Sequence, residues 1–231
     1  MKKLITLFAI AGMVLALAPA AQAADIPLDN PLVPGGLIVG NTFQLVFVSS
    51  TTRDATSNDS ADYDTHVQNA ANAAGIGSGV SVTWQAMVSL NVPLYHFGNE
   101  VSVAEAFYLV NGTKVASAGA FLSQTHDAAI NIDESGNTYN GNVWTGTDWE
   151  GWRNNGGLGT LGGNPTGVNS AYGKSDVYLN ATWAVDALVA QTTELPLYAV
   201  SEVLTVIVPE PATMSLLAFG GIALLRRKRR A

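Results

Sequence analysis

Phe43-Gln44-Leu45-Val46-Phe47-Val48-Ser49 is the stretch on which the architecture turns. It is rich in β-branched and aromatic residues, and its apolar run is nearly continuous, which suits a buried strand. The polar segment Thr51 to Ser60 ends that strand and offers Asn58, Asp59 or Ser60 as a helix cap. Tyr63, Val67, Ala70, Ala71 and Ala74 then recur at spacings of 4, 7, 8 and 11, one stripe of an α-helix. Gly75 and Gly77 stop it.

Beyond the helix, short apolar segments alternate with turns: Val80 to Met87, Val92 to Phe97, Ala106 to Val110, Ala128 to Ile132, Asn142 to Thr145 and Val177 to Val185. Asn111-Gly112 is a two-residue hairpin signal between Phe107 to Val110 and Thr113 to Val115. Leu195 to Val208 reads as a last strand-like run. Residues 141 to 173 hold ten glycines in 33 positions, with Trp144, Trp149 and Trp152, and read either as a structured functional loop or as a partly disordered one. Before the decisive strand, residues 24–39 carry Pro27, Pro31, Pro34, Gly35 and Gly36 and are expected to be an extended lead-in. One helix among many short strands, with strand-like runs at both ends, predicts an α+β domain whose terminal strands pair.

Charge is partitioned along the chain. The net charge is −7, yet Lys2, Lys3, Arg226, Arg227, Lys228, Arg229 and Arg230 all lie at the two ends. Residues 24–208 keep four basic residues (Arg53, Lys114, Arg153, Lys174) against 17 acidic ones, a body charge of −13. Such a surface disfavours nucleic acid as a partner. The absence of cysteine excludes disulfides, a thiolate nucleophile and Cys-ligated zinc or iron-sulfur clusters.

The ends read as addresses. Residues 1–23 combine Lys2 and Lys3, an apolar run from Leu4 to Ala18, and the small-x-small triplet Ala21-Gln22-Ala23, the pattern of a secretory signal peptide cut between Ala23 and Ala24. The Sec export machinery and signal peptidase are the implied partners. At the other end, within residues 207–231, Val208-Pro209-Glu210-Pro211 forms a rigid extended hinge. A greasy helix is expected over 212–225, with its apolar core from Met214 to Leu225, and a positive stop at Arg226, Arg227, Lys228, Arg229 and Arg230. Twelve apolar residues span about 18 Å, short of a bilayer core about 30 Å thick, as suits a transient membrane anchor rather than a permanent one. This order of hinge, apolar helix and basic cluster resembles the PEP-CTERM sorting signal of Gram-negative bacteria that make extracellular polysaccharide. That resemblance implies an exosortase cutting near Pro209, Glu210 and Pro211, an inner-membrane intermediate, and a final place at the cell surface or outside the cell.

The body carries a second resemblance. Leu45 to Thr52, the Ala-rich helix, Tyr108-Leu109-Val110-Asn111-Gly112-Thr113-Lys114-Val115, Ile130-Asn131-Ile132-Asp133-Glu134-Ser135-Gly136-Asn137, Val143-Trp144-Thr145-Gly146-Thr147 and Leu197-Tyr198-Ala199-Val200 form an ordered series. The series resembles bacterial surface domains related to endostatin and, more distantly, the C-type lectin-like fold, over about residues 40–206. It implies that Phe43 to Ser49 and Leu197 to Leu204 are adjacent strands. Relatives commonly carry disulfides, and the Glu-Pro-Asn and Trp-Asn-Asp motifs of true C-type lectins are missing here, so sugar binding is not implied.

Candidate chemistry is sparse. His66, His96 and His126 have neither a Gly-x-Ser-x-Gly elbow nor a His-Glu-x-x-His pattern to go with them. Gly157 to Gly162 matches Gly-x-Gly-x-x-Gly, but Asn154, Asn155, Gly163, Asn164 and Pro165 surround it where a strand and a helix are required. Asn131, Asp133 and Ser135, with Gly136, give the first half of a calcium loop or else a tight turn in which the side chains bond their own backbone. Calcium is the one cofactor this pattern admits. Asp148, Trp149 and Trp152 are candidate ligand contacts, as sugar-stacking aromatics or as residues pinning a long loop to the core. Taken together, the sequence predicts a non-enzymatic exported protein engaged in adhesion or exopolysaccharide association, with exopolysaccharide or surface proteins as partners. An extracellular hydrolase or a structural coat protein is the alternative.

Overall fold

The computed structural model describes residues 23–91, 104–148, 150–152, 159–162 and 169–208. They form a β-rich domain in two sheets with one α-helix. The segments Val92 to Phe97 and Gly157-Leu158, His96, Trp149, most of the expected signal peptide and the expected hinge with its tail lie outside the described residues.

Strand β2 (Thr42–Val48) is the axis of the fold. Its last six residues are buried because the sheet is covered on both faces, which explains the nearly continuous apolar run. Phe43, Leu45 and Phe47 enter one hydrophobic core and Val46 and Val48 enter a second. On one side β2 runs parallel to β4 (Ala106–Leu109), which turns back through Asn111-Gly112 into β5 (Lys114–Ala116). Gly112 there sits at φ 86°, a conformation that favours glycine, and the Asn111 side chain accepts from the Thr113 N–H.

On its other side β2 pairs with two strands in succession. Its end runs antiparallel to β9 (Tyr198–Ser201), through Val46–Val200 and Val48–Tyr198, and its start runs antiparallel to β10 (Leu204–Ile207). The adjacency required of the two terminal runs is therefore present. The single run expected over Leu195 to Val208 is two strands, because the chain changes neighbour at Glu202-Val203. There β9 stops pairing with β3 (Trp84–Ala86), and β10 takes up β1 (Ala24–Pro27) in parallel register, Ala24 opposite Leu204 and Pro27 opposite Ile207. The first four residues of the expected lead-in thus belong to the sheet, and Ile26 is fully buried.

Helix α1 (Ser60–Ala74) starts at Asp59, whose carboxylate accepts from the Ala61 N–H, and ends at Gly75 with φ 71°. Tyr63, Val67, Ala70 and Ala71 face the first core, whereas Ala74, the last member of the predicted stripe, is exposed. No helix among the described residues is long and apolar enough to cross a membrane.

A smaller sheet is built from β6 (Asn142–Trp144), β7 (Asn169–Lys174) and β8 (Ala187–Ala190), all antiparallel. Neither β7 nor β8 was expected. The Val177 to Val185 run is a turn followed by a 3-10 helix at Ala181–Trp183, and Ala128 to Ile132 forms no strand. Glycines let this part close on the body: a Cβ at Gly173 would strike the Trp183 carbonyl, and one at Gly162 would strike the Ser57 carbonyl.

Candidate functional site

Asp133 sits directly after the point where the Ile132 carbonyl accepts from Val48, so β2 positions the 131–137 turn. One Asp133 carboxylate oxygen accepts from the Ser135 and Asn137 backbone N–H groups at 2.9 and 2.8 Å, and the other accepts from the Asn137 side chain at 3.1 Å. Gly136, at φ 84°, closes the loop onto the Asp133 carbonyl. Glu134 turns the opposite way, where both its oxygens accept from Ser50, one from the N–H and one from the hydroxyl. The Asn131 side chain donates to Asn140. These oxygens are engaged in shaping the turn and tying it to the end of β2. Among the described residues no three His, Asp or Glu side chains are grouped as a metal would require.

The second candidate turn follows β6. Asp148 accepts from the Glu150 and Trp152 N–H groups at 3.0 and 2.9 Å and donates its own N–H to the Trp152 carbonyl, which also receives the Thr147 hydroxyl at 2.7 Å. Gly151, at φ 80°, lets the turn close. Trp152 is thereby fixed at its backbone while its side chain stands 54% exposed, unlike Trp84, Trp144 and Trp183, which are buried. Trp149 lies outside the described residues.

The histidines serve different ends. His66, on α1, places Nε2 3.0 Å from the Thr51 hydroxyl. His126 is buried, tilted against Trp183 and stacked on Phe121, with Nε2 2.8 Å from the Phe121 carbonyl. Nδ1 has no hydrogen-bond partner among the described residues, and burial lowers the ring's pKa despite the opposing pull of that carbonyl and of Asp127. Burial likewise pushes the Tyr63 and Tyr198 hydroxyls well above their ordinary value. Tyr63 donates to the Ser57 carbonyl, while its ring lies 4.1 Å under the Arg53 guanidinium.

One concavity had no counterpart in the sequence reading. At the end of α1, Gln68, Asn72, Ser78, Val80 and Thr83 line an open hollow of about 480 Å³ with Ile76 on its rim. Its lining is amide, hydroxyl and apolar groups with no charged side chain, and the Gln68 amide there bonds Asn72, Val82 and Trp84. The only sequence signal is the pair Gly75 and Gly77, both at positive φ, which reads as a helix stop.

The expected signal cleavage between Ala23 and Ala24 and the start of the sorting segment flank two neighbouring strands. Ala24 begins β1 and donates its N–H to the Val203 carbonyl, and Val208 follows the last residue of β10. Residues 208–230 match the family model described as the PEP-CTERM protein-sorting motif. No curated protein matches the chain. The chain is accordingly an exported, membrane-transiting surface protein with an exosortase as its processing partner. The matched segment includes Pro209, Glu210 and Pro211 and the basic residues Arg226 to Arg230.

Proposed function

We propose that the sorted body is a non-enzymatic adhesion module that associates with exopolysaccharide, on a domain related to the endostatin-like branch of the C-type lectin-like fold. The observation that carries the binding role is Trp152, whose backbone is fixed by Asp148 and which is 54% exposed. An exposed, backbone-fixed indole offers a flat apolar face to the C–H side of a sugar ring at little entropic cost. The uncharged hollow beside Ile76 suits the same ligand class. The pairing of β2 with β9 is consistent with the proposed fold.

The test is binding of the signal-free chain to exopolysaccharide from the producing cells, with and without calcium. Trp152→Ala should weaken binding roughly tenfold, the scale of one lost aromatic contact. Binding that is unchanged in that variant removes Trp152 from the account, and absence of binding by the parent chain favours a coat protein. Calcium dependence would point to the 131–137 turn.

A further inference from the structure

We propose that the end of the sheet from which the sorting tail emerges is a membrane-contact collar, formed by Leu28, Ile38, Val39 and Val208, that seats on the lipid surface while the tail is inserted.

Sheet register brings these four residues together. Pro27 pairs with Ile207, and the Leu28 N–H donates to the Ile207 carbonyl, so Leu28 and Val208 are next-door neighbours. On the other side of β10, Thr205 pairs with Thr42, Val206 donates to Asn41, and Gly40 donates back to Val206. Gly40, at φ 89°, and Asn41 thus both face Val206, a bulge that ends the pairing and leaves Val39 in the turn beside the end of β10. Ile38 belongs to the same turn, which is closed by Asn41: its side chain accepts from the Ile38 N–H, and its own N–H donates to the Ile38 carbonyl.

All four are exposed, at 42% for Leu28, 66% for Ile38, 46% for Val39 and 60% for Val208. Only Trp152, Leu179 and Leu188 are other large apolar side chains so exposed among the described residues. Exposed apolar residues scattered singly need no explanation, whereas four at the ends of three adjacent strand segments form a patch.

The chain itself says what covers the patch. Val208 is followed by five residues and then by the apolar run Met214 to Leu225. Fully extended, the stretch from Val208 to Met214 reaches about 20 Å, while a body of this length is roughly 40 Å across. With the run in the bilayer, the tether is too short for the exit face to turn away from the headgroups. Residues 24–52 contain Asp25 and Asp29 and no Lys or Arg, so contact comes from apolar side chains entering the interface and not from attraction to anionic lipid. The inference rests on the reading of residues 209–231 as a membrane-inserted signal.

The chain has no cysteine, so a single introduced thiol reports one position. Full chain carrying Ile38→Cys, Leu179→Cys or Ala218→Cys is labelled with a small fluorophore and reconstituted into phosphatidylcholine vesicles containing a nitroxide-bearing lipid. The labels at Ile38 and Ala218 should be quenched several-fold more than the label at Leu179, with no change between low and high salt. Adding Val39→Asp should reduce the Ile38 quenching while leaving that of Ala218 intact. Quenching at Ala218 with Ile38 no different from Leu179 overturns the collar and keeps the tail reading. Absence of quenching at Ala218 defeats the tail reading and the collar with it. A label at Ile38 that becomes shielded without lipid as protein concentration rises assigns the face to a second copy instead, and also overturns the proposal.

Discussion

The two faces of the large sheet are covered by different means. One face is closed by α1, whose Tyr63, Val67, Ala70 and Ala71 meet Phe43, Leu45, Phe47 and Trp84. The other is closed largely by irregular chain: Phe121, Ile130, Ile132 and Trp183 are delivered onto Val46, Val48, Phe107 and Val200 by turns and a 3-10 helix. The helical side is a repeating pattern with a cap at each end, so its burial is built into local sequence. Each apolar residue on the loop side arrives on its own segment and is held by backbone contacts that no local pattern encodes.

The largest effect that would break this contrast comes from emptying both cores. Phe47 lies 4.8 Å, edge to face, from Trp84 under the helix, and Phe47→Ala should cost roughly 3–5 kcal/mol, because neighbouring regular elements relax little. Phe121 stacks on Phe107 at 4.0 Å but sits on an irregular segment outside any strand or helix. Phe121→Ala should therefore cost less, and denaturant titration of both variants reads the difference. Equal costs would show that the loop side is as rigid as the helical side.

Next in size is Gly173→Ala. Its Cβ would meet the backbone carbonyl of Trp183, which cannot swing aside like a side-chain tip. A cost of roughly 1–3 kcal/mol is expected from overpacking. A neutral outcome on thermal unfolding would mean that the small sheet and the Trp183 turn separate at little cost, and that the loop-side core is less tightly closed than its burial indicates.

How much was legible follows the same division. β2, α1 with its cap and glycine stop, and the Asn111-Gly112 hairpin could be read because period, cap and turn chemistry are local. β7, Asn169–Lys174, could not: Asn-Ser-Ala-Tyr-Gly-Lys has no strand pattern, and its place depends on glycine accepting a neighbouring carbonyl at close range. The break between β9 and β10 was hidden because it arises from a change of partner, not of composition. Among the candidate sites, the sequence offered two readings of Asn131, Asp133 and Ser135, and the geometry shows the Asp133 oxygens bonding their own turn. The exposure of Trp152 and the adjacency of Leu28 and Val208 are tertiary facts, invisible before register is known.

A smaller effect sharpens the helical side. Asp59→Ala removes the acceptor for the Ala61 N–H and should cost about 1 kcal/mol, while Asp59→Asn, which keeps an oxygen, should recover most of it. If both variants match the parent in chemical denaturation, the cap adds little beyond packing and the legibility of α1 rests on its apolar stripe alone.

The smallest effect is absent at neutral pH and emerges only on acidification. The Phe121 carbonyl beside His126 Nε2 can only accept, so the neutral ring carries its proton on Nε2 and leaves Nδ1 bare. A second proton would put an unpaired charge among Phe121 and Trp183. Asp127 is the charged group whose field favours protonation, and Lys114, 3.3 Å from its carboxylate, counters that field. With the folded pKa below the ordinary value near 6.5, the unfolded chain takes up a proton that the fold refuses. The contribution of His126 is therefore fully present above about pH 6.5 and is lost progressively as pH falls from there toward the folded pKa. His126→Phe keeps the aromatic stack and removes the titration. The stability difference between parent and variant should be flat above pH 7 and should shift in favour of the variant at lower pH. A difference that stays flat down to pH 5 would mean that the loop side opens enough to hydrate the ring, and that the tightness inferred from the Phe121-His126-Trp183 stack is not maintained in solution.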